Sequence, residues 1–138
     1  MQIEVRKAED YDTLPPGVAS SLPSAQLECK RRDGLVTLAW VRGQPVGWLV
    51  HTLLWARVPF IELLFVEDAY RRQGVATALL AKLEESLRGD GASLLFSSAR
   101  DDDPGALAWH FEQGFVEAGV LEGVNAGDVG QVFFNKSP

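Results

Sequence analysis

The chain has 138 residues, 46% of them hydrophobic and 23% charged, with a net charge of −6 and a pI near 4.8. This length and balance favour one globular domain over 1–138 with a real core. They argue against a nucleic-acid partner, which calls for a basic surface, and no apolar run approaches the ~20 residues that span a membrane. The opening MetGlnIleGluValArgLysAla lacks the basic-then-apolar order of a signal peptide. Cys29 is alone, so no internal disulfide forms, and the cytoplasm is the expected compartment. Cys29 reads as a packing residue. The His and Cys residues are too few and too scattered for a metal site.

Ile3 and Val5 alternate with Glu4 and Arg6, which predicts a first strand. A polar stretch follows from Glu9 to Leu22, with a short helix around Asp10 to Leu14 that Pro15 and Pro16 keep from extending. Ser24 is placed to cap a helix running to about Arg32, with Gly34 as its stop. Leu35–Val41 is the second strand, 42–45 a turn, and Val46–Trp55 the third strand, in which Gly47 marks a bulge or a close contact. Phe60–Val66 is the fourth strand. It is apolar on both faces except at Glu62, as a central strand buried on both sides should be. After the loop Glu67–Gln73, a helix runs from about Gly74 to Arg88 with Val75, Leu79, Leu83 and Leu87 as its buried stripe. Ala92–Ser98 is the fifth strand, parallel to the fourth because a helix connects them. Asp103 caps a helix that starts at Pro104 and ends at Gly114. Phe115–Glu122 and Gln131–Asn135 form a terminal hairpin. The class is mixed α/β: a meander, a βαβ unit, then a helix and a hairpin. Trp48, Trp55 and Trp109 are expected in the core, and Trp55 also lies near enough to the fourth strand to edge a ligand pocket.

The basic loop between the fourth strand and its helix is the chemically distinctive stretch. A helix start carries unpaired N–H groups and the positive end of the dipole, and Arg71 and Arg72 sit beside it, a combination suited to phosphate. The spacing of a P-loop lysine is absent, and a dinucleotide fingerprint needs more glycines than Gly74 alone. ArgArgGlnGlyValAla at 71–76 fits a third design, a pyrophosphate loop in which Gly74 lets a phosphate approach the backbone. The plain alternative is a helix start with solvated arginines. AspAspAsp at 101–103 reads as a solvated turn or helix start before it reads as a cation site.

In its wider context the chain resembles the GNAT superfamily of N-acetyltransferases. LeuLeuPheValGluAspAlaTyrArgArgGlnGlyValAlaThrAlaLeuLeu is similar to the cofactor motif of that family, and AlaLeuAlaTrpHisPheGluGlnGlyPhe at 106–115 is similar to its second motif. The resemblance implies a twisted, mostly antiparallel sheet of about seven strands and about four helices, with the parallel pair splayed to hold acetyl-CoA. It places pantetheine against the backbone of Leu64, Phe65 and Val66, and the pyrophosphate on Arg71, Arg72, Gln73, Gly74, Val75, Ala76 and Thr77. No metal is implied.

Amide formation from a thioester requires a base for the ammonium and a proton for the departing thiolate. By the same resemblance Glu62 is the base, or else it binds a cationic acceptor or pairs with Arg57 or another basic group. His110 falls where the family usually carries a tyrosine acid; it donates to sulfur or merely lines the slot. Asp103 replaces a frequent asparagine and reads as a helix cap. The implied activity is acetyl transfer from acetyl-CoA to a primary amine by direct attack. The acidic balance favours a small-molecule acceptor. A non-catalytic acyl-CoA-binding regulatory module is the alternative, and the terminal hairpin offers an edge for a homodimer.

Overall fold

The computed structural model describes residues 1–9, 12 and 23–138. Its strands are Glu4–Lys7 (β1), Val36–Val41 (β2), Gln44–Leu54 (β3), Val58–Val66 (β4), Leu95–Arg100 (β5), Val116–Leu121 (β6) and Gln131–Lys136 (β7). The α-helices among the described residues are Ser24–Arg32 (α1), Val75–Gly89 (α2) and Pro104–Glu112 (α3), and a 3-10 turn covers Asp68–Tyr70. All seven strands form one sheet in the order β1-β2-β3-β4-β5-β7-β6, antiparallel throughout except between β4 and β5. The expected mixed α/β architecture is therefore present. The helix expected around Asp10 to Leu14 lies outside the described residues, Asp12 excepted.

Local chemistry shifts several boundaries. Pro23, not Ser24, occupies the cap position of α1. The turn between β2 and β3 is only Arg42 and Gly43, both with positive φ (53° and 75°). Two such residues make the tight hairpin turn whose twist matches the flanking strands, so Gln44 and Pro45 already belong to β3. β5 starts at Leu95 rather than Ala92, because the Ala92 N–H closes the end of α2 on the Leu87 carbonyl at 3.0 Å. Trp55 is 78% exposed at the β3–β4 turn, whereas Trp48 is buried and Trp109 packs against the core.

α2 buries Val75, Leu79, Leu80, Leu83 and Leu87. Each such side chain contributes about 1.5–3 kcal/mol on leaving water. They pack on Ala39, Leu49 and Ile61 from one half of the sheet and on Leu95, Ala99 and Phe134 from the other. Leu27 of α1 covers the opposite face with Val36, Leu38, Trp48 and Val50. Gly47 is tightly constrained. Val46 forms a bulge beside it, and a Cβ on Gly47 would lie 2.8 Å from Val75 Cγ1 and 3.2 Å from the Phe65 carbonyl oxygen. Both sequence readings of Gly47 hold.

His51 is buried on β3 and its Nδ1 has no hydrogen-bond partner among the described residues. Burial, and next the positive charges of Lys7 and Lys30, lower its pKa from 6.5 to about 4. A depressed histidine favours the neutral folded form, so its penalty appears as pH falls below 6.5 and grows until about 4. The expected result is a loss of about 3 kcal/mol of stability between these limits. Urea midpoints at pH 7 and 4.5 check it, and His51→Gln should flatten most of the slope. The Arg6 guanidinium, bonded to Asp12 at 2.7 and 2.9 Å, holds that carboxyl below its ordinary 3.8, so Asp12 acts in a lower pH window.

Candidate functional site

The strand expected to be buried on both sides is not. β4 pairs with β5 only at Phe60 and Phe96. Beyond that pair the strands separate, and Phe65 is 38% exposed. A bulge explains part of this: Val50 pairs with Leu63 and His51 with Ile61, which leaves Glu62 as the extra residue. Bulges bend a strand and re-aim a side chain. From Leu64 to Val66 the β5-facing edge of β4 therefore has no strand partner among the described residues. The resulting cleft has a volume of about 800 Å³ and runs from Glu62 along β4 to the start of α2, with Ser97 to Arg100 and the inner side of α3 opposite. That size suits a small-molecule or cofactor site.

At one end lies the α2 N-terminus. Gly74 is its cap residue in the left-handed conformation (φ 87°), and no side chain caps the helix. The first-turn N–H groups of Val75, Ala76 and Thr77 have no intrahelical acceptors, and these residues line the cleft. Arg72, also left-handed (φ 60°), lines the cleft with no hydrogen bond or ion pair to its side chain among the described residues. Arg71 is already engaged. Its Nε donates to the Val66 carbonyl at 3.1 Å, its Nη2 meets Asp68 at 3.2 Å, and its guanidinium lies over the Phe65 ring. The Gln73 amide donates to the Ala69 carbonyl at 3.0 Å, and Gln73 is not part of the cleft lining. Gln113 Nε2 donates to Thr77 Oγ1 at 3.3 Å, joining the α3 end to the α2 start.

At the other end, Glu62 Oε2 lies 3.1 Å from Lys30 Nζ of α1. The contact lacks hydrogen-bond alignment, and that buried oxygen has no other partner among the described residues. Arg57 is not involved. On the α3 side, His110 is 6% exposed. Its Nε2 is 2.8 Å from Ser97 Oγ, and its Nδ1 is 2.7 Å from the Ala106 carbonyl oxygen. Burial lowers the pKa of His110, against smaller opposing effects from Ala106 and Asp103.

The three aspartates each have a structural partner. Asp101 accepts from the Gly130 N–H at 2.9 Å, Asp102 pairs with Arg100 at 2.9 Å, and Asp103 Oδ1 accepts from the Ala106 N–H at 3.1 Å as the α3 cap. Sequence reasoning missed Lys30 and the Gln113–Thr77 bridge. Lys30 carries no local signal beyond its place on an amphipathic helix. Ser97 and Ser98, which the sequence places at the end of the fifth strand as polar groups for the slot, both line the cleft.

The architecture is shared with solved structures. A GNAT family acetyltransferase from Elizabethkingia anophelis with acetyl-CoA bound superposes with a TM-score of 0.82 at 13% identity, covering 99% of this chain and 98% of that one. The ribosomal-protein-alanine N-acetyltransferase of Brucella melitensis is 27% identical with a TM-score of 0.71, over 83% of this chain and 75% of its own. A curated acetyltransferase of Agrobacterium fabrum is 33% identical over 95 residues, 69% of this chain and 61% of that protein. The chain thus spans about three-fifths of the length of that relative. The acetyltransferase (GNAT) family model matches residues 5–115. The chain belongs to the GNAT acetyltransferase family.

Proposed function

We propose that this chain is an acetyl-CoA-dependent N-acetyltransferase that transfers acetyl to a primary amine by direct attack. One observation carries the reading: the unpaired edge of β4 leads straight into the uncapped start of α2. An extended, amide-bearing chain that ends in pyrophosphate needs this pairing of backbone groups and anion seat. Pantetheine then lies along Leu64 to Val66. The pyrophosphate takes the N–H groups of Gly74 to Thr77, with Arg72 as the available charge and Arg71 and Gln73 holding the loop in shape.

Glu62 seats the acceptor ammonium and takes its first proton. Its buried, poorly aligned contact with Lys30 supports this, because the carboxylate already faces a primary ammonium that does not saturate it. His110 serves the sulfur side. The Brucella relative is named for a protein alanine, whereas the acidic balance here favours a small amine over a basic protein tail. The enclosed ring nitrogens of His110 favour one second reading, an acyl-CoA-binding module without turnover.

An amine panel with acetyl-CoA, read by free-thiol release, separates the two. Thiol release that depends on one amine supports the enzyme, and binding without release supports the module. Acetyl-CoA at a hundred times its Kd should stabilise the fold by about 2.7 kcal/mol. Arg72→Ala should weaken acetyl-CoA binding about tenfold through loss of a charge-assisted bond. Calorimetric titration checks it, and unchanged affinity would take Arg72 out of the site.

A further inference from the structure

We propose that Ser97 and His110 form a proton relay in which the Ser97 hydroxyl touches the reacting atoms and His110 acts only through it. The proposal rests on the acetyl-transfer reading and adds the path of the second proton. A carbonyl oxygen only accepts, so the 2.7 Å contact with Ala106 puts the hydrogen on His110 Nδ1. Nε2 is then the lone-pair nitrogen, and the Ser97 hydroxyl donates to it across 2.8 Å. The free lone pair of Ser97 Oγ is left for the cleft, which both residues line. An activated hydroxyl with its base, and that base oriented by a third group, is the arrangement that moves protons at a reacting carbon. Ser98 is committed elsewhere, because its hydroxyl accepts from Gln131 at 2.9 Å.

The proton balance closes without an outside donor. The acceptor ammonium loses its first proton to Glu62 and then to solvent. The amine nitrogen bonds to the thioester carbonyl carbon and becomes positively charged, while the C=O π pair moves onto oxygen. The nitrogen's second proton passes to Ser97 Oγ while the Ser97 proton passes to His110 Nε2. The oxyanion re-forms the carbonyl as the carbon–sulfur bond breaks with its electron pair on sulfur. The imidazolium returns a proton to Ser97, and Ser97 gives its own to the thiolate. Amide and free thiol leave, and the Ser97–His110 pair is restored.

The surroundings suit a transient charge. The ring stacks on Phe134 at 4.6 Å and meets Phe115 and Trp109 edge-on. The groups packed on it from β5, β7 and the turn after α3 (Ser97, Phe134 and Phe115) carry no charge. Asp103 at the start of α3 acts on it from a distance, and Lys136 lies over the far ring, Phe115, at 5.5 Å. Burial keeps the resting imidazole neutral and able to accept, and makes the imidazolium quick to return its proton.

The test measures kcat with saturating acetyl-CoA and amine for wild type, Ser97→Ala, His110→Gln and the double variant, in water and in water–D2O mixtures. Each single variant should lose about 100-fold, and the double variant no more than either. The wild-type proton inventory should be curved, and each variant's linear. The part of the acid limb of the kcat profile that comes from His110 should disappear in His110→Gln, leaving the part that comes from Glu62, while acetyl-CoA affinity stays unchanged. Ser97→Thr keeps the hydroxyl and should keep most of the rate. Wild-type turnover in Ser97→Ala, additive losses, or a linear wild-type inventory would each overturn the relay. The last needs no variant to fold. Wild type that binds acetyl-CoA without releasing thiol to any amine removes the transfer reading and the relay together, whereas turnover with a linear inventory removes the relay alone.

Discussion

Glu62→Gln should lower kcat for the amine by about 1,000-fold, within the range for loss of a positioned base. The substitution keeps the shape of the side chain and removes its charge. Acetyl-CoA affinity should stay the same, because Glu62 lies at the end of the cleft away from the α2 start. The pH profile carries an independent signature. Without a carboxylate to take the first proton, the amine must arrive neutral, so the rate should climb with pH toward the amine's own pKa. Stability should fall slightly, since Lys30, 16% exposed at its side chain, loses its counter-charge. Steady-state kinetics across pH with calorimetric binding decide the matter. Unchanged turnover would leave Glu62 as the partner of Lys30 and nothing more.

Gly47→Ala should destabilise the fold by about 1–3 kcal/mol and weaken acetyl-CoA binding as well. The new methyl would meet Val75 Cγ1 at 2.8 Å. Val75 is the first residue of α2 and is 1% exposed. A β-branched side chain in a helix has one strongly preferred rotamer, so Cγ1 does not swing aside cheaply. The Phe65 carbonyl, 3.2 Å away, is backbone and blocks the other direction. The first turn of α2 must therefore lift from β3, and its uncapped N–H groups move with it. Gly43→Ala is the control. Its Cβ meets nothing within 4 Å, and its φ of 75° brings only backbone strain. Urea denaturation and acetyl-CoA titration of both variants test the pair. Equal effects on binding would refute the link between Gly47 and the anion seat.

Much of this was legible in the sequence because its causes are local. The stripe of α2 and the Asp103 cap both follow from neighbouring residues. The separation of β4 from β5 came from the family resemblance, not from the residues of β4, whose apolar run argued for burial on both faces. Several features arise only when distant segments meet. No pattern near Glu62 announces that it is the bulged residue or that Lys30 of α1 lies against it. The contact between Ser97 and His110 depends on α3 folding back over β5. The insertion of β7 between β5 and β6 reflects pairing choices that a hairpin signal does not encode.

The single β4–β5 pair also bears on how the chain reaches this state. β1 to β4 are sequential neighbours, each pairing with the next; β2, β3 and β4 are joined by turns of two and three residues, closures of small entropic cost, whereas β1 meets β2 across residues 8–35. β5, β7 and β6 form a second sheet fragment built only from the C-terminal part of the chain. Very little ladder hydrogen bonding joins the two, and the apolar face of α2 does most of the joining. Cooperativity between the halves is therefore carried by side-chain packing more than by the sheet. The cleft between β4 and β5 is the same seam across which the two fragments have to find each other.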